Sequence, residues 1–381
     1  MEKLKAIALS IVITLSISSL ASCSDSTDNA SGSLDNIQAT TSEIYSTGGE
    51  IQHETVEITS TSTEVSEETT DNQNYSANNI NNYITVEKAY PPIWKVTDTK
   101  TGNSMFMLGT MHVAVESTFP LPDEVYDIYN DCSGVAVEYN VRDLQKNLST
   151  SIDVVSELLY TDGSTIKNHI SREAYDIGRA ALEEYGMWIG TMDYFVPSYW
   201  LDVIQSAAVT NIEGIEEDGV DLTFIDKAYE DNKPVISIEE LETQINILNG
   251  YSDEMVEFIL VNDMESLQVN EDTVKQMADL YNAWADGDLK RIEELAMYDE
   301  SNIEFEEDDE VPEELIKEAE QYSKMILDDR NVVMVKRAEE FINNNNNYFF
   351  MVGALHYIGD NGIISLLESD GYKVERLEYK R

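Results

Sequence analysis

The sequence predicts an α/β protein in which two strand-helix-strand units form a mixed, largely parallel central sheet, with a mainly helical insertion between them. Three observations carry this. Two compact apolar runs, Ser104 to Leu108 and Tyr348-Phe349-Phe350-Met351-Val352, have the length and composition of buried strands. Each run ends in the same pattern, Gly109-Thr110-Met111-His112 and Gly353-Ala354-Leu355-His356, and each is followed by a helical period and a further strand. From about 150 to 300 the apolar spacing is helical almost throughout.

Taken in order, Pro91-Pro92 opens the domain, expected over residues 90–381, and Ile93-Trp94-Lys95-Val96 alternates as a strand that turns back at Thr101-Gly102-Asn103. After the first Gly-x-x-His, Pro122-Asp123-Glu124 starts a helix carrying Val125, Ile128 and Tyr129 on one side, and Gly134-Val135-Ala136-Val137-Glu138 reads as a buried strand. A right-handed crossover makes the two strands of such a unit parallel. In the helical middle, a helix over 222–229 leads to a strand at 234–238, which runs into Glu239. The acidic run 304–314 reads as a solvated loop or helix start, and the five asparagines 343–347 as a surface turn. A helix over 332–342 feeds the second apolar strand, and a helix carrying Ile363, Ile364, Leu366 and Leu367, closed at Gly371, leads to a last strand over 372–377.

Charge removes whole classes of function. With 74 acidic against 24 basic side chains in 381 residues, the formal net charge is −50, and a nucleic-acid partner, which needs a basic stripe, is excluded. Two cysteines are too few for a disulfide scaffold or a thiolate metal cluster, and Cys132 is expected to be buried and unpaired. There is no Gly-x-Ser-x-Gly elbow, Walker loop or complete EF-hand.

The N-terminus has a short basic head, an apolar stretch over 6–20 and the approach Leu20-Ala21-Ser22 to Cys23. It resembles a bacterial lipoprotein signal. That resemblance implies a signal peptide over 1–22, lipidation of Cys23, and a chain held at the cell membrane on its extracytoplasmic side. From 23 to 89 a tether rich in Ser, Thr, Asn and acidic residues is expected to be disordered, since its scattered apolar residues cannot offset ordering entropy.

Four polar residues fall at the carboxyl ends of expected buried strands: His112, Glu138, Glu239 and His356. In open α/β sheets that edge is where ligands bind. Two imidazoles with one or two carboxylates suit a divalent transition metal such as Zn, Mn or Co with a position open for water, one glutamate being left as general base. The competing reading is that each histidine caps a strand end and bonds to backbone. Arg330, before the helix over 332–342, suits an oxyanion or carboxylate near a helix N-terminus, or else a surface salt bridge. His169, in Lys167-Asn168-His169, is expected to be exposed, and Tyr194, Phe195, Tyr199 and Trp200 to be helix core.

Taken together, Phe106 to His112, Val137-Glu138, Gly219-Val220-Asp221, Lys233-Pro234-Val235 with Ile238-Glu239 and Gln244, Arg330-Asn331, and Val352 to His356 with Gly359 and Gly362 resemble the TraB/GumN family over nearly all of 90–381. The family is related to the Tiki proteins, which implies a metal-dependent hydrolase of peptide or ester bonds, and carries His112, Glu138, Glu239, Arg330 and His356 to the site. The metal ligands are expected to be His112 and His356 with one or both of Glu138 and Glu239, and the catalytic groups Glu138, Glu239 and Arg330. The wider superfamily, with erythromycin esterase-like and haem-binding ChaN-like members, uses the same sheet edge for different chemistry. The alternative is therefore a non-catalytic lipoprotein that binds a peptide pheromone, a haem or a glycan.

Overall fold

A computed structural model describes residues 77–146, 154–216, 218–296 and 311–380. The expectations for residues 1–22, for Cys23, and for most of the tether and of the acidic run lie outside these residues. The described chain is α/β. Its main sheet has six strands in the order β6-β4-β7-β2-β1-β8: β1 Ile93–Asp98, β2 Ser104–Thr110, β4 Gly134–Val137, β6 Val235–Ser237, β7 Tyr348–Gly353 and β8 Tyr372–Arg376. A separate ribbon pairs β3, Ala114–Val115, with β5, Ile215–Glu216, and was not foreseen.

The β1–β2 hairpin closes as expected, with Gly102 at φ 79° and the Asp98 carboxylate accepting from Lys100 N (2.9 Å) and Thr101 Oγ1 (2.6 Å). β2, β7, β4 and β6 are parallel neighbours. β1 is antiparallel to both β2 and β8, so β8 shares the common direction. Both strand-helix-strand units therefore form with parallel strands, but neither is a pair of adjacent strands. β7, the most apolar strand, inserts between β2 and β4. Its residues 349–352 are buried on both faces, which suits a central position and no other. The sheet's edges go to β6, three residues long, and to β8, whose Lys373, Glu375 and Arg376 are unattractive for edge pairing.

Alternation along the strands divides the core. Met107, Phe350 and Val352 pack with Met334, Ala338, Phe341 and Leu367 from the helices Arg330–Asn343 and Ile363–Ser369. Leu108, Val135, Phe349 and Met351 face the opposite layer, with the helices Asp123–Asp131, Pro197–Thr210, Val220–Glu230 and Glu271–Asp286. Trp284, in the last of these, donates from Nε1 to the Gly109 carbonyl at 3.0 Å, tying that layer to the end of β2.

Two sequence expectations need correction. Residues 77–89, assigned to the tether, are part of the fold: Ile80 and Ala89 are fully buried, and Asn282 bonds Thr85 N (2.8 Å) and the Tyr83 carbonyl (2.9 Å). Polar composition hid this because the partners come from a helix nearly 200 residues away. The helix expected over 332–342 starts earlier. It continues from the helix Glu313–Lys324 through a π-turn, Met325–Asp329, so Arg330 and Asn331 lie inside a helical run and not ahead of one. Cys132 is a buried free thiol, with burial pushing its pKa up to about 11. Trp200 is fully buried as expected, while Tyr194 is exposed and Phe195 and Tyr199 are half-buried.

Asp202, in the helix Pro197–Thr210, is buried with no hydrogen-bond partner at Oδ2, and burial pushes its pKa up to about 7. The folded state holds this proton more tightly than the unfolded state does. Stability is therefore lost as pH rises from the unfolded carboxyl value, about 3.8, to about 7, and is flat above that. Asp202→Asn should raise stability at pH 8 by about 3–4 kcal/mol more than at pH 4. Thermal melts at the two pH values check this, and equal effects at both would refute it.

Candidate functional site

The carboxyl ends of β2, β4, β7 and β6 deliver His112, Glu138, His356 and Glu239 to one edge of the sheet. His112, Glu138, Glu239, Arg330 and His356 are all buried, between 2% and 8% exposed, which rules out Arg330 as a surface salt bridge. The two Gly-x-x-His glycines serve close approach and not a left-handed turn. A Cβ on Gly109 would press on Pro92 and Ala354, and one on Gly353 would sit 3.3 Å from Glu138 Oε1 and 3.7 Å from His112 Nε2. Gly353 thus leaves room for the carboxylate and the imidazole, and its own N–H donates to Glu138 Oε1 at 2.7 Å.

Glu138 is the hub. His356 Nε2 lies 3.7 Å and His112 Nε2 4.0 Å from its Oε1. Each ring is held from behind through Nδ1. His112 Nδ1 is 3.2 Å from Asp221 Oδ2, and a carboxylate can only accept, so Nδ1 carries the proton. His356 Nδ1 is 2.7 Å from Asn331 Oδ1, and Asn331 Nδ2 is committed as donor to the Asn361 carbonyl at 3.0 Å, so this Nδ1 is again the donor. In the neutral rings Nε2 is therefore the unprotonated nitrogen, 3.7 Å from Glu138 Oε1 in His356 and 4.0 Å in His112.

Behind Glu138 lies a buried clamp. Arg330 donates from Nη2 to Glu138 Oε2 (2.6 Å) and to Glu239 Oε2 (2.8 Å), from Nε to Glu239 Oε1 (2.8 Å), and from Nη1 to the Ile326 carbonyl (3.2 Å). Gln244 Nε2 adds a bond to Glu239 Oε2 at 2.8 Å. The π-turn supplies that Ile326 carbonyl one turn before Arg330. Burial opposes ionisation of Glu138, but Arg330, the two imidazoles and the Gly353 N–H override it and hold its pKa down at about 2. Burial pushes Glu239 up, against the pull of Arg330. Burial also takes His356 down to about 3, whereas His112 is raised because Asp221 and Glu138 outweigh its burial.

The structure thus brings His112, His356 and Glu138 together and turns Glu239 toward Arg330 and Gln244. Arg330, expected at an oxyanion, has its donors engaged by two carboxylates and a carbonyl. The trio fits a divalent transition metal in donor chemistry, two neutral nitrogens and one carboxylate oxygen. In spacing it is open. Tetrahedral ligands about 2.1 Å from an ion lie roughly 3.4 Å apart, against 3.7 and 4.0 Å here. Among the described residues no group of three or more His, Cys, Asp or Glu could hold a metal ion as placed, so a bound ion requires both imidazoles to move closer to Glu138.

A cavity of about 10 Å³, roughly one water in size, adjoins His112 and Glu138 and is also lined by Thr110, Tyr139 and Asp221 among others. The segment before the helix Val220–Glu230 packs onto the first Gly-x-x-His: Val220 N donates to the Met111 carbonyl at 3.0 Å, and a Cβ on Gly219 would run into the backbone of Met111 and His112. Gly219→Ala should therefore cost about 1–3 kcal/mol of stability and displace His112. Denaturant unfolding checks it, and a variant as stable as the parent would refute it.

Asp221, Asn331 and Gln244 were visible as parts of the sequence pattern but had no assigned role, because their partners are 109, 25 and 5 residues away and pair only in the fold. His169 is exposed as expected, stacked on Tyr160 and 3.2 Å from Asp253.

Fold and site define an α/β protein with a buried His-Glu-His centre at the carboxyl edge of its parallel strands. The model of the TraB/PrgY/gumN family matches residues 92–376, and the chain belongs to that family. No curated protein and no solved structure gives a match.

Proposed function

We propose that this protein is a metal-dependent hydrolase of peptide or ester bonds, held at the outer side of the cell membrane through lipidated Cys23. The observation that carries the hydrolase reading is the pair of Nε2 atoms facing one Glu138 oxygen at 3.7 and 4.0 Å. His112, His356 and Glu138 would hold the ion. A bound divalent metal supplies a polarised substrate carbonyl and a water of lowered pKa.

The chain's own groups divide the remaining work. Asp221 and Asn331 keep the imidazole protons on Nδ1, and Arg330 keeps Glu138 ionised and aimed. Glu239 balances the second half of the Arg330 fork and is reassigned from ligand or base to that clamp. Burial of the centre excludes bulk water, which strengthens each of these interactions.

The test is cleavage of a peptide and ester library by purified protein supplied with Zn, Mn or Co, read by mass spectrometry. Products that vanish with His356→Ala support the proposal. Absence of any product together with a stoichiometric bound ligand would replace it with the binding-lipoprotein reading. Membrane fractionation of wild type against Cys23→Ser tests the anchor, and an unchanged distribution would remove it.

A further inference from the structure

We propose that Asp221 is a positioning residue for His112 and that it shares one buried water with Thr110. The inference rests on the His-Glu-His reading above and deepens it. Asp221 sits in the first turn of the helix Val220–Glu230, where the helix field favours a carboxylate, and it is 7% exposed. Its Oδ2 takes His112 Nδ1 at 3.2 Å. Its Oδ1 is buried and has no hydrogen-bond partner among the described protein groups, and Asp221 is one of the residues that line the one-water cavity. Thr110, the last residue of β2 and 1% exposed, lines the same cavity, and its Oγ1 is likewise without a partner.

A hydroxyl and a carboxylate oxygen of residues bordering a space of that size are the partners a single ordered water requires. With Oδ1 held by the water and Oδ2 by Nδ1, the carboxylate is fixed at both ends, and so are the ring plane and tautomer of His112. Carboxylate-backed imidazoles are the usual means of orienting a metal-binding histidine, and loss of the backing group typically lowers metal affinity about 10–100-fold. His356 has the neutral counterpart, the Asn331 amide oxygen.

The experiment is ¹⁵N-imidazole NMR on wild type, Asp221→Ala, Asp221→Asn and Thr110→Val, with the His112 signals assigned by their loss in His112→Gln. Zinc titrations and a crystal structure of the wild type accompany it. At alkaline pH, where the imidazole is neutral, wild-type His112 should be a single Nδ1–H tautomer. Asp221→Ala should give a tautomer mixture and about 10–100-fold weaker zinc binding, while Asp221→Asn, which still offers an acceptor oxygen, should retain most of both. Thr110→Val should keep the tautomer, and the wild-type crystal should show a water bonded to Thr110 Oγ1 and Asp221 Oδ1.

A wild-type Nε2–H tautomer, readable even where Asp221→Ala fails to fold, would overturn the positioning role. So would a tautomer unchanged in Asp221→Ala. A cavity without that water would overturn the shared site. An Asp221-dependent tautomer in a protein that binds no zinc would support the positioning role while removing zinc as the ion of the hydrolase reading.

Discussion

Replacing Arg330 by methionine should lower the unfolding free energy by about 3–5 kcal/mol, a drop of roughly 10 °C in melting temperature for a chain of this size. The side chain is 3% exposed and touches two carboxylates that are themselves 5% and 3% exposed. Its removal leaves Glu138 and Glu239 buried beside each other with no counter-charge, and each can escape only by taking up a proton or drawing in water. Adding Glu239→Gln to Arg330→Met should restore part of the loss, because one of the two stranded charges is gone. Urea unfolding of the parent, the single and the double variant measures this. A single-variant loss below about 1 kcal/mol would mean that the clamp behaves as an exposed ion pair.

His356→Ala is expected to reduce affinity for Zn and Co by at least about 100-fold, more than the loss typical of an outer partner. It deletes one of the three inward-facing donors and leaves the other two 4.0 Å apart. The fold should survive, with a cost of about 1–3 kcal/mol from the stranded Asn331 oxygen. Calorimetric titration with circular dichroism on the same samples separates the two effects. Full affinity in a folded variant would take His356 out of the centre.

How much of this was legible in the sequence depended on distance along the chain. His112, Glu138, Glu239 and His356 could be placed because each follows directly on a strand whose apolar run is local information, and parallel strands present their carboxyl ends to one edge. That β7 would lie between β2 and β4 was not readable, since both arrangements satisfy the same hydrophobic pattern. Arg330 was expected ahead of a helix, but the helix expected to start at 332 is the second half of a longer helical run joined by a π-turn that no residue type announces, and this places Arg330 inside it. Asp221 and Asn331 were named in the pattern without a function: an acceptor for an imidazole nitrogen is an ordinary Asp or Asn until the fold brings the ring to it. Residues 77–89 look like the polar stretch before them, and what sets them apart comes from distant parts of the chain: the side chain of Asn282, the backbone of Glu213 and the pockets for Ile80 and Ala89.

Hydrolysis by the proposed route requires His112, His356 and Glu138 to act as one metal-binding unit. Titration of the full chain with Zn, Mn and Co, run beside His112→Ala, His356→Ala and Glu138→Gln, tests this most directly. One ion per wild-type chain, with binding lost in every variant, is the expected result. Failure of the folded wild type to bind any of the three, or undiminished binding in the variants, would contradict it.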